Sequence, residues 1–223
     1  MLYSEENVRH NIRNREGRRV FYLAEGDNLT PSARDYLQRQ RIEILPATDA
    51  KPEHYVLENG AFFREKPEHY THLRGNILVP KTHPVIAFRG AMDTLQAELL
   101  LAQLAAPEVE QELGEILALA RQILSCEVME EVLEEKKLCG LTEAQQRKHS
   151  HVPQEYYGQP HFMPEARDGA AILQLNRARC AARAAELAAA HAFPGNGRPD
   201  IGQALNRMSS MIYILMIRLK AKM

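Results

Sequence analysis

The chain has 223 residues, of which 45% are hydrophobic and 26% are charged, so it is long enough for one well-buried core with a small appended subdomain. Its formal net charge of -1 gives no electrostatic reason to expect nucleic acid or an anionic membrane as the main partner. The three cysteines, Cys126, Cys139 and Cys180, are far apart and odd in number, which argues against a disulfide framework and favours a reducing compartment.

The N-terminus and the longest apolar run indicate where the protein is located. The start, Met1–Glu6, is acidic and lacks the apolar core of a signal peptide. The longest apolar run, Met211–Ile217, contains seven residues, whereas about 20 are needed to cross a bilayer. We therefore expect a cytoplasmic protein.

The chain before residue 84 has the pattern of short helices, strands and turns. Ser4 and the Thr30-Pro31 pair are signals for helix N-termini, and Asn59-Gly60 is a strong signal for a hairpin turn. The predicted elements are helices over residues 5–13 and 31–40, strands over residues 19–24 and 42–45, and a hairpin of residues 55–57 with 61–64. These elements predict a small α/β appendage, to which we assign residues 1–70.

From residue 84 onward, Ala and Leu dominate and the apolar spacing is helical. The predicted helices cover residues 84–105, 107–137, 143–148, 164–192 and 199 to near the C-terminus. The second of them is expected to stop at Cys139-Gly140, because Gly favours the position after a helix. Thr142 with Gln145 forms a partial capping box for the third. The pattern predicts a helical bundle, and we assign residues 71–223 to the corresponding domain.

The fourth of these helices carries a polar stripe beside an apolar seam. The seam consists of Ala171, Leu175, Ala178, Ala182, Ala185 and Ala189. One position further on, Asn176, Arg179, Arg183 and Glu186 repeat the same spacing about 100° around the helix, at the edge of the predicted interface. Two arginines with a carboxylate one turn beyond suit a polyphosphate and its Mg²⁺. The alternative is a charge ladder on a solvated face.

Two further helices have polar residues beside apolar seams. In the last helix these residues are Asn206, Arg207, Ser209 and Ser210. In the first long helix, Phe88 belongs to the seam, and Arg89 and Asp93 flank it. A carboxylate at a buried edge needs a cationic partner, and Arg179 and Arg183 are the candidates for Asp93. Polar groups beside the seams of three helices predict one composite site.

At these residues the sequence resembles the cobalamin adenosyltransferases, and it resembles their ethanolamine-utilisation branch more closely than the propanediol-utilisation branch. The matching blocks are Leu29–Arg34, Thr71–Leu73, Lys81–Asp93, Ser150-His151, Pro164–Ala166, Arg179–Glu186 and Arg198–Ser210. Each block is modest alone, but together they follow the family's order and spacing over nearly the full chain.

The resemblance implies an all-α fold, a five-helix bundle with the small N-terminal α/β appendage, assembled as a homotrimer with ATP at subunit interfaces. It implies an ATP:cob(I)alamin adenosyltransferase, in which Co(I) of the corrinoid substrate attacks the 5′ carbon of ATP and triphosphate leaves. Mg²⁺ accompanies ATP, and adenosylcobalamin is the product. The implied partners are a reductase or a corrinoid-dependent lyase, and the implied location is the cytoplasm or a bacterial microcompartment.

The resemblance also implies roles for individual residues. The positions expected to act in catalysis are Asp93, Arg179, Arg183 and Glu186, with Glu186 also binding the metal and Asp93 pairing with an arginine across an interface. The positions expected to bind ATP or the corrinoid are Thr71, His72, Lys81, Phe88, Arg89, Asn206, Arg207 and Ser210. Lys81 is expected to contact the triphosphate. The corrinoid further requires an apolar surface, for which Phe88, Met92 and Phe162 are candidates.

One feature departs from the ethanolamine branch. Many of its members carry a His and closely spaced cysteines that bind a metal before the Thr-His-Leu block, whereas residues 53–70 contain no cysteine. We therefore predict a variant that lacks this metal motif. Two histidine clusters remain as alternatives for a metal, His69 with His72 and His83, and His149 with His151 and His161. The second cluster could instead pack an irregular loop or edge the corrinoid pocket.

Other classes of protein compete with this assignment. The main alternative is a non-catalytic corrinoid carrier or scaffold of a microcompartment pathway, with the appendage used for docking. A di-iron carboxylate bundle would require Glu-x-x-His motifs on facing helices, and the long helices have none. The helix predicted over residues 31–40 lacks the basic face and the partner helix of a DNA-reading unit.

Overall fold

The computed structural model describes residues 1–15, 17–47 and 55–223, which form two compact units, Met1–His83 and Pro84–Met223. The change in composition near residue 84 coincides with this division. Residues 71–83, which were predicted to belong to the helical-bundle domain, lie in the first unit. Their assignment to the helical-bundle domain stays a prediction.

The first unit is the predicted α/β appendage. Its described elements are helices α1 (Glu5–Asn11) and α2 (Pro31–Arg39) and strands β1 (Leu2–Tyr3), β2 (Arg13–Arg15), β3 (Arg18–Leu23), β4 (Asn28–Leu29), β5 (Glu43–Pro46), β6 (Tyr55–Leu57), β7 (Phe62–Phe63), β8 (Tyr70–Arg74) and β9 (Ile77–Pro80). Strands β1 and β4 pair in parallel. The other strands form a sheet of order β2-β3-β5 and one of order β7-β6-β9-β8.

Local signals in the sequence explain most of these elements. The Ser4 Oγ accepts a hydrogen bond from the Asn7 amide at 3.2 Å, and the Thr30 Oγ1 accepts one from the Ala33 amide at 3.3 Å, so both predicted caps are confirmed. Gly75 joins β8 to β9 with a φ of +49°. A Cβ there would lie 1.8 Å from the backbone oxygen of Asn14, so this turn requires glycine.

The second unit is helical. Its described helices are α3 (Pro84–Ala105), α4 (Glu110–Met129), α5 (Glu143–His151), α6 (Pro153–Tyr157), α7 (Gly169–Ala192) and α8 (Pro199–Lys220). Helix α3 packs against α4 and α7, and α7 packs against α8. The predominance of helix is confirmed, and the family's count of five bundle helices stays a prediction. In the described ranges, no helix is both long and apolar enough to traverse a bilayer.

The packing of α7 and α8 positions the candidate site. Helix α8 is buried on nearly every side, since the four consecutive residues 214–217 are all inaccessible to solvent. Helix α7 presents Ala178, Ala182 and Ala185 to its neighbours, and all three are fully buried. Because alanine is small, the backbones of packed helices can approach closely. Polar residues next to this seam therefore lie where two helices meet.

The predicted C-terminus of α4, near residue 137, is wrong. The helix ends when Glu130 adopts a left-handed conformation with a φ of 58°, and its amide bonds back to the last turn. Gly140 instead lies in a later turn. The intervening segment is held by a distant contact, because the Leu133 amide donates to Asp200 Oδ2 at 2.9 Å. A bond between residues so far apart leaves no trace in the local pattern.

Candidate functional site

The predicted site residues of α7 and α8 meet in a hydrogen-bonded chain. Asn206 on α8 donates from Nδ2 to Glu186 Oε1 on α7 at 2.8 Å. The Arg207 guanidinium donates to Asn206 Oδ1. A carboxylate, an amide and a guanidinium from two helices are thus connected, and all three residues are half-buried.

Arg179 lies at the same interface and its guanidinium is held from two sides. Its Nε and Nη2 donate to Asn176 Oδ1 at 3.2 and 3.0 Å, one helical turn earlier. The centre of the guanidinium lies 5.8 Å from the ring centroid of Tyr213 on α8. These contacts orient a half-buried cation and leave the guanidinium with unused donors.

Arg183, the second arginine of the stripe, has different surroundings. It is exposed, and no hydrogen bond or ion pair joins it to another described residue. One part of the stripe therefore lies at an interface edge, and the other part lies on a solvated face. Asn176, Arg179 and Glu186 lie at the edge of a buried interface, whereas Arg183 lies on a solvated face of the single chain.

Asp93 is exposed on α3 rather than placed at a buried edge. Within the described part of the chain it forms no ion pair with Arg179 or Arg183, and a pairing across protomers stays a prediction. The buried carboxylates of α3 and α4 are Glu98 and Glu127, which are 8% and 1% exposed. Neither residue was among the predicted site residues.

Arg89 forms a two-pronged ion pair with Glu127. Its Nε lies 2.7 Å from Glu127 Oε2, and its Nη2 lies 3.1 Å from Glu127 Oε1. Glu127 continues the apolar seam of α4 formed by Ile116, Ala120 and Ile123. A carboxylate in such a seam signals a buried cation partner, so the spacing contained the information needed to find this pair.

The three apolar candidates for the corrinoid surface differ in exposure. Phe88 is 0% exposed and packs edge-to-face on Phe193 with ring centroids 5.5 Å apart. Met92 is equally buried. Phe88 and Met92 therefore contact protein alone in this chain, whereas Phe162 is half-buried and stacks on Tyr213 with centroids 6.5 Å apart. Phe162 is next to Met163, which is 85% exposed.

Ser209 and Ser210 bond locally within α8. Both hydroxyl groups donate to the Asn206 carbonyl oxygen, at 2.9 and 3.2 Å. The carbonyl that they bond to belongs to Asn206, whose side chain connects Glu186 and Arg207. Their observed role is to support Asn206.

The other predicted binding residues belong to the first unit. Thr71 and His72 lie on β8, where Thr71 pairs with Val79 of β9. Partial burial, followed by the charges of Lys66 and Arg13, lowers the pKa of His72 and favours its neutral imidazole. Lys81 follows β9, and its exposed Nζ lies 3.4 Å from Glu68 Oε1. Such an exposed pair adds little stability and leaves the ammonium available.

The histidines of the second cluster each bond to protein groups. His149 Nδ1 pairs with the Tyr157 hydroxyl at 2.8 Å, and His151 Nδ1 pairs with the Arg147 carbonyl at 2.7 Å. His161 bonds to both Tyr213 and the His151 carbonyl. These contacts support the packing alternative. In the described ranges, no three His, Cys, Asp or Glu side chains are grouped to hold a metal.

A cleft of about 880 Å³ opens beside Arg207. Helices α5 and α8 contribute to its lining, which mixes basic and acidic side chains. The charged lining residues are Arg147, Lys148, Arg207, Glu135, Glu143 and Glu155. Its volume falls within the range of about 300–1,000 Å³ that is typical of small-molecule sites.

Comparison with known proteins gives consistent matches. A family model described as cobalamin adenosyltransferase matches residues 61–219. The corrinoid adenosyltransferase EutT of Salmonella typhimurium is 31% identical, with 93% of this chain and 88% of that protein aligned. The corrinoid adenosyltransferase EutT of Escherichia coli K12 is 29% identical, with 88% of this chain and 84% of that protein aligned. No solved structure matches the chain significantly.

Proposed function

The chain belongs to the cobalamin adenosyltransferase family, and from that premise we propose that it transfers the 5′-deoxyadenosyl group of ATP to Co(I) of a corrinoid. The new bond joins cobalt to the 5′ carbon, the bond from that carbon to the triphosphate oxygen breaks, and triphosphate leaves. The predicted resemblance to the ethanolamine-utilisation branch is confirmed by the matches to two corrinoid adenosyltransferases named EutT.

The observation that carries the proposal is the chain of contacts from Glu186 through Asn206 to Arg207. Together with Arg179, it gathers two cations, an amide and a carboxylate at one helix interface. The leaving triphosphate gains negative charge, which Arg179 and Arg183 would stabilise. The role of Lys81 of the first unit as a triphosphate contact is proposed from the family resemblance alone. Each charge-assisted contact is worth about 1.5–3 kcal/mol. The protein thus positions ATP and stabilises the leaving triphosphate, while the corrinoid substrate supplies the nucleophile.

Glu186 fits the requirements of Mg²⁺. The ion prefers oxygen ligands and is commonly held by one or two carboxylates together with substrate phosphates. Asn206 occupies Glu186 Oε1, so Oε2 is the oxygen proposed for the metal. When bound, Mg²⁺ would neutralise charge on the phosphate oxygens.

We assign the apolar surface for the corrinoid to Phe162 in preference to Phe88 and Met92. The half-burial of Phe162 leaves part of its ring accessible, whereas the other two side chains have no accessible surface. The exposed neighbour Met163 extends this surface. The roles of Phe88, Arg89, Thr71, His72 and Ser210 in binding remain predictions.

The proposed assembly is a homotrimer with ATP at subunit interfaces. Asp93 and Arg183 support it, because they carry opposite charges and each is exposed within one chain. A contact between protomers would give both charges a partner. Functional partners are a reductase that supplies Co(I) or a lyase that uses the product, and the proposed location is the cytoplasm or a bacterial microcompartment.

The assignment is tested with chemically reduced cob(I)alamin, ATP and Mg²⁺, by recording visible absorbance. Disappearance of the Co(I) spectrum with formation of adenosylcobalamin is expected. A protein that binds the corrinoid but neither binds ATP nor forms adenosylcobalamin is instead the carrier or scaffold of the alternative hypothesis.

A further inference from the structure

Tyr213 on α8 is the contact point of three groups from other parts of the second unit. Its hydroxyl lies 2.9 Å from His161 Nδ1, and the two rings are nearly parallel with centroids 5.7 Å apart. The ring of Phe162 stacks on it at 6.5 Å. The guanidinium of Arg179 lies 5.8 Å from its centroid. The Tyr213 side chain therefore contacts both Arg179, the proposed triphosphate ligand, and residues 161–162.

The hydrogen bonds of His161 have a defined direction. Its Nε2 lies 3.0 Å from the His151 carbonyl oxygen, which can only accept, so Nε2 carries a hydrogen. In the neutral imidazole, Nδ1 then has a lone pair and must accept from the Tyr213 hydroxyl. Tyr213 therefore donates to His161, and His161 donates to His151 at the end of α5. This relay of two hydrogen bonds holds His161, the residue before Phe162, to α8 and to α5.

The ring and the hydroxyl of Tyr213 act on different neighbours. The hydroxyl bonds to His161 alone among the described residues, whereas the ring contacts Arg179 and Phe162. A phenylalanine at this position would keep the ring contacts and break the relay. The two contributions are consequently separable by substitution.

We propose that Tyr213 is a positioning residue with two separable roles, in which its hydroxyl fixes the Phe162 segment through His161 and its ring orients Arg179. The inference rests on the proposed function, because it takes Phe162 as corrinoid surface and Arg179 as a triphosphate ligand. It predicts that loss of the hydroxyl weakens corrinoid binding alone, whereas loss of the ring weakens the binding of both substrates.

The test compares Tyr213→Phe, Tyr213→Leu and His161→Phe with the wild-type chain. KM is measured for ATP and for cob(I)alamin, and cob(II)alamin affinity is measured by visible absorbance. The matched control is Tyr157→Phe, because Tyr157 also bonds to a histidine, His149, at 2.8 Å. Among the described residues, Tyr157 forms no hydrogen bond and no ring contact with Arg179 or Phe162.

Tyr213→Phe should weaken corrinoid affinity about three- to tenfold, which corresponds to the loss of one hydrogen bond. His161→Phe also loses the bond to the His151 carbonyl and should weaken corrinoid affinity at least as much. The KM for ATP of both variants should stay within about twofold of the wild type, and a Tyr213→Phe/His161→Phe double variant should lose no more corrinoid affinity than His161→Phe alone. Tyr213→Leu should also raise the KM for ATP. Unchanged corrinoid affinity in both single variants, or equal losses in Tyr157→Phe, would overturn the inference, whereas an inactive wild type would refute the proposed function instead.

Discussion

Glu186 on α7 accepts a hydrogen bond from the Asn206 side chain on α8, with 2.8 Å between Oε1 and Nδ2. The same amide accepts from Arg207 through its oxygen. Glu186 therefore fixes which way the amide of Asn206 points, in addition to its proposed contact with Mg²⁺. These two roles can be separated because only the second requires a negative charge.

Glu186→Gln keeps an oxygen for Asn206 and removes the charge. We expect the Mg²⁺ concentration that gives half-maximal activity to rise at least about tenfold, with little change in thermal unfolding. Glu186→Ala should lose both roles and destabilise the fold by about 1 kcal/mol as well. An unchanged Mg²⁺ dependence in the glutamine variant would remove Glu186 from the metal site.

Arg183→Ala should lower turnover at least about tenfold while leaving helicity intact. The exposed side chain forms no hydrogen bond or ion pair with another described residue, so the free energy of unfolding should change by no more than about 0.5 kcal/mol. Arg121→Ala is the matched control, since Arg121 is another exposed helical arginine. Turnover near that of the wild type in Arg183→Ala would exclude this residue from the site.

Lys81→Ala should raise the KM for ATP about tenfold with little effect on stability, because its pairing with Glu68 is exposed. Glu68→Ala is the control, since it breaks the same pair without removing the ammonium. Equal effects of the two substitutions on the KM for ATP would show that the ion pair, and not a phosphate contact of Lys81, explains the result.

Substitutions of Arg89 and Glu127 test whether Arg89, a predicted binding residue, has a structural role instead. Glu127→Leu removes the buried carboxylate that the half-buried Arg89 guanidinium binds and should destabilise the protein by about 3 kcal/mol. The double variant Arg89→Met with Glu127→Leu should recover most of this loss in denaturant unfolding. If the recovered variant has a normal KM for ATP, the role of Arg89 is structural, whereas a raised KM supports nucleotide binding.

Asp200 should make stability depend on pH in the acid range. Hydrogen bonding from Arg198, together with amide donors that include Leu133, lowers the pKa of Asp200 to about 2. The pKa of Asp200 is therefore lower in the folded chain than in the unfolded chain, where it is near 4. Ionised Asp200 stabilises the fold above about pH 4, and this contribution is lost as the pH falls toward 2. Asp200→Asn should therefore cost about 1–2 kcal/mol at pH 7, and the difference should shrink below about pH 4.

Denaturant unfolding between pH 2.5 and 7 measures this effect. Glu134→Gln is the control because Glu134 is an exposed carboxylate in the segment that Asp200 holds. A difference between wild type and Asp200→Asn that stays constant over the whole range would contradict the assigned cause.

Much of the fold could be predicted because its signals are local. The bounds of α3 follow from its flanking prolines and apolar spacing, and the caps at Ser4, Thr30 and Thr142 are set by neighbouring amides. The end of α4 could not be predicted, because it depends on the left-handed Glu130 and on the distant carboxylate of Asp200.

For the candidate site, the sequence predicted positions along and around a helix, but not the neighbours of each side chain. Periodicity placed Arg179, Glu186 and Asn206 beside a helix seam, where the structure has them. It could not show that Arg183 faces solvent, since a residue's angle around a helix does not specify which neighbour covers it. The partner of Arg89 was missed because the apolar seam of α4, which Glu127 continues, was not traced along the sequence.

The most direct test of the central claim is the ratio of inorganic triphosphate released to adenosylcobalamin formed, measured on the same reaction with cob(I)alamin, ATP and Mg²⁺. The proposed binding of an intact triphosphate leaving group by Arg179 and Arg183 predicts a ratio of one-to-one. Release of ADP and phosphate, or of triphosphate without adenosylcobalamin, would contradict the account.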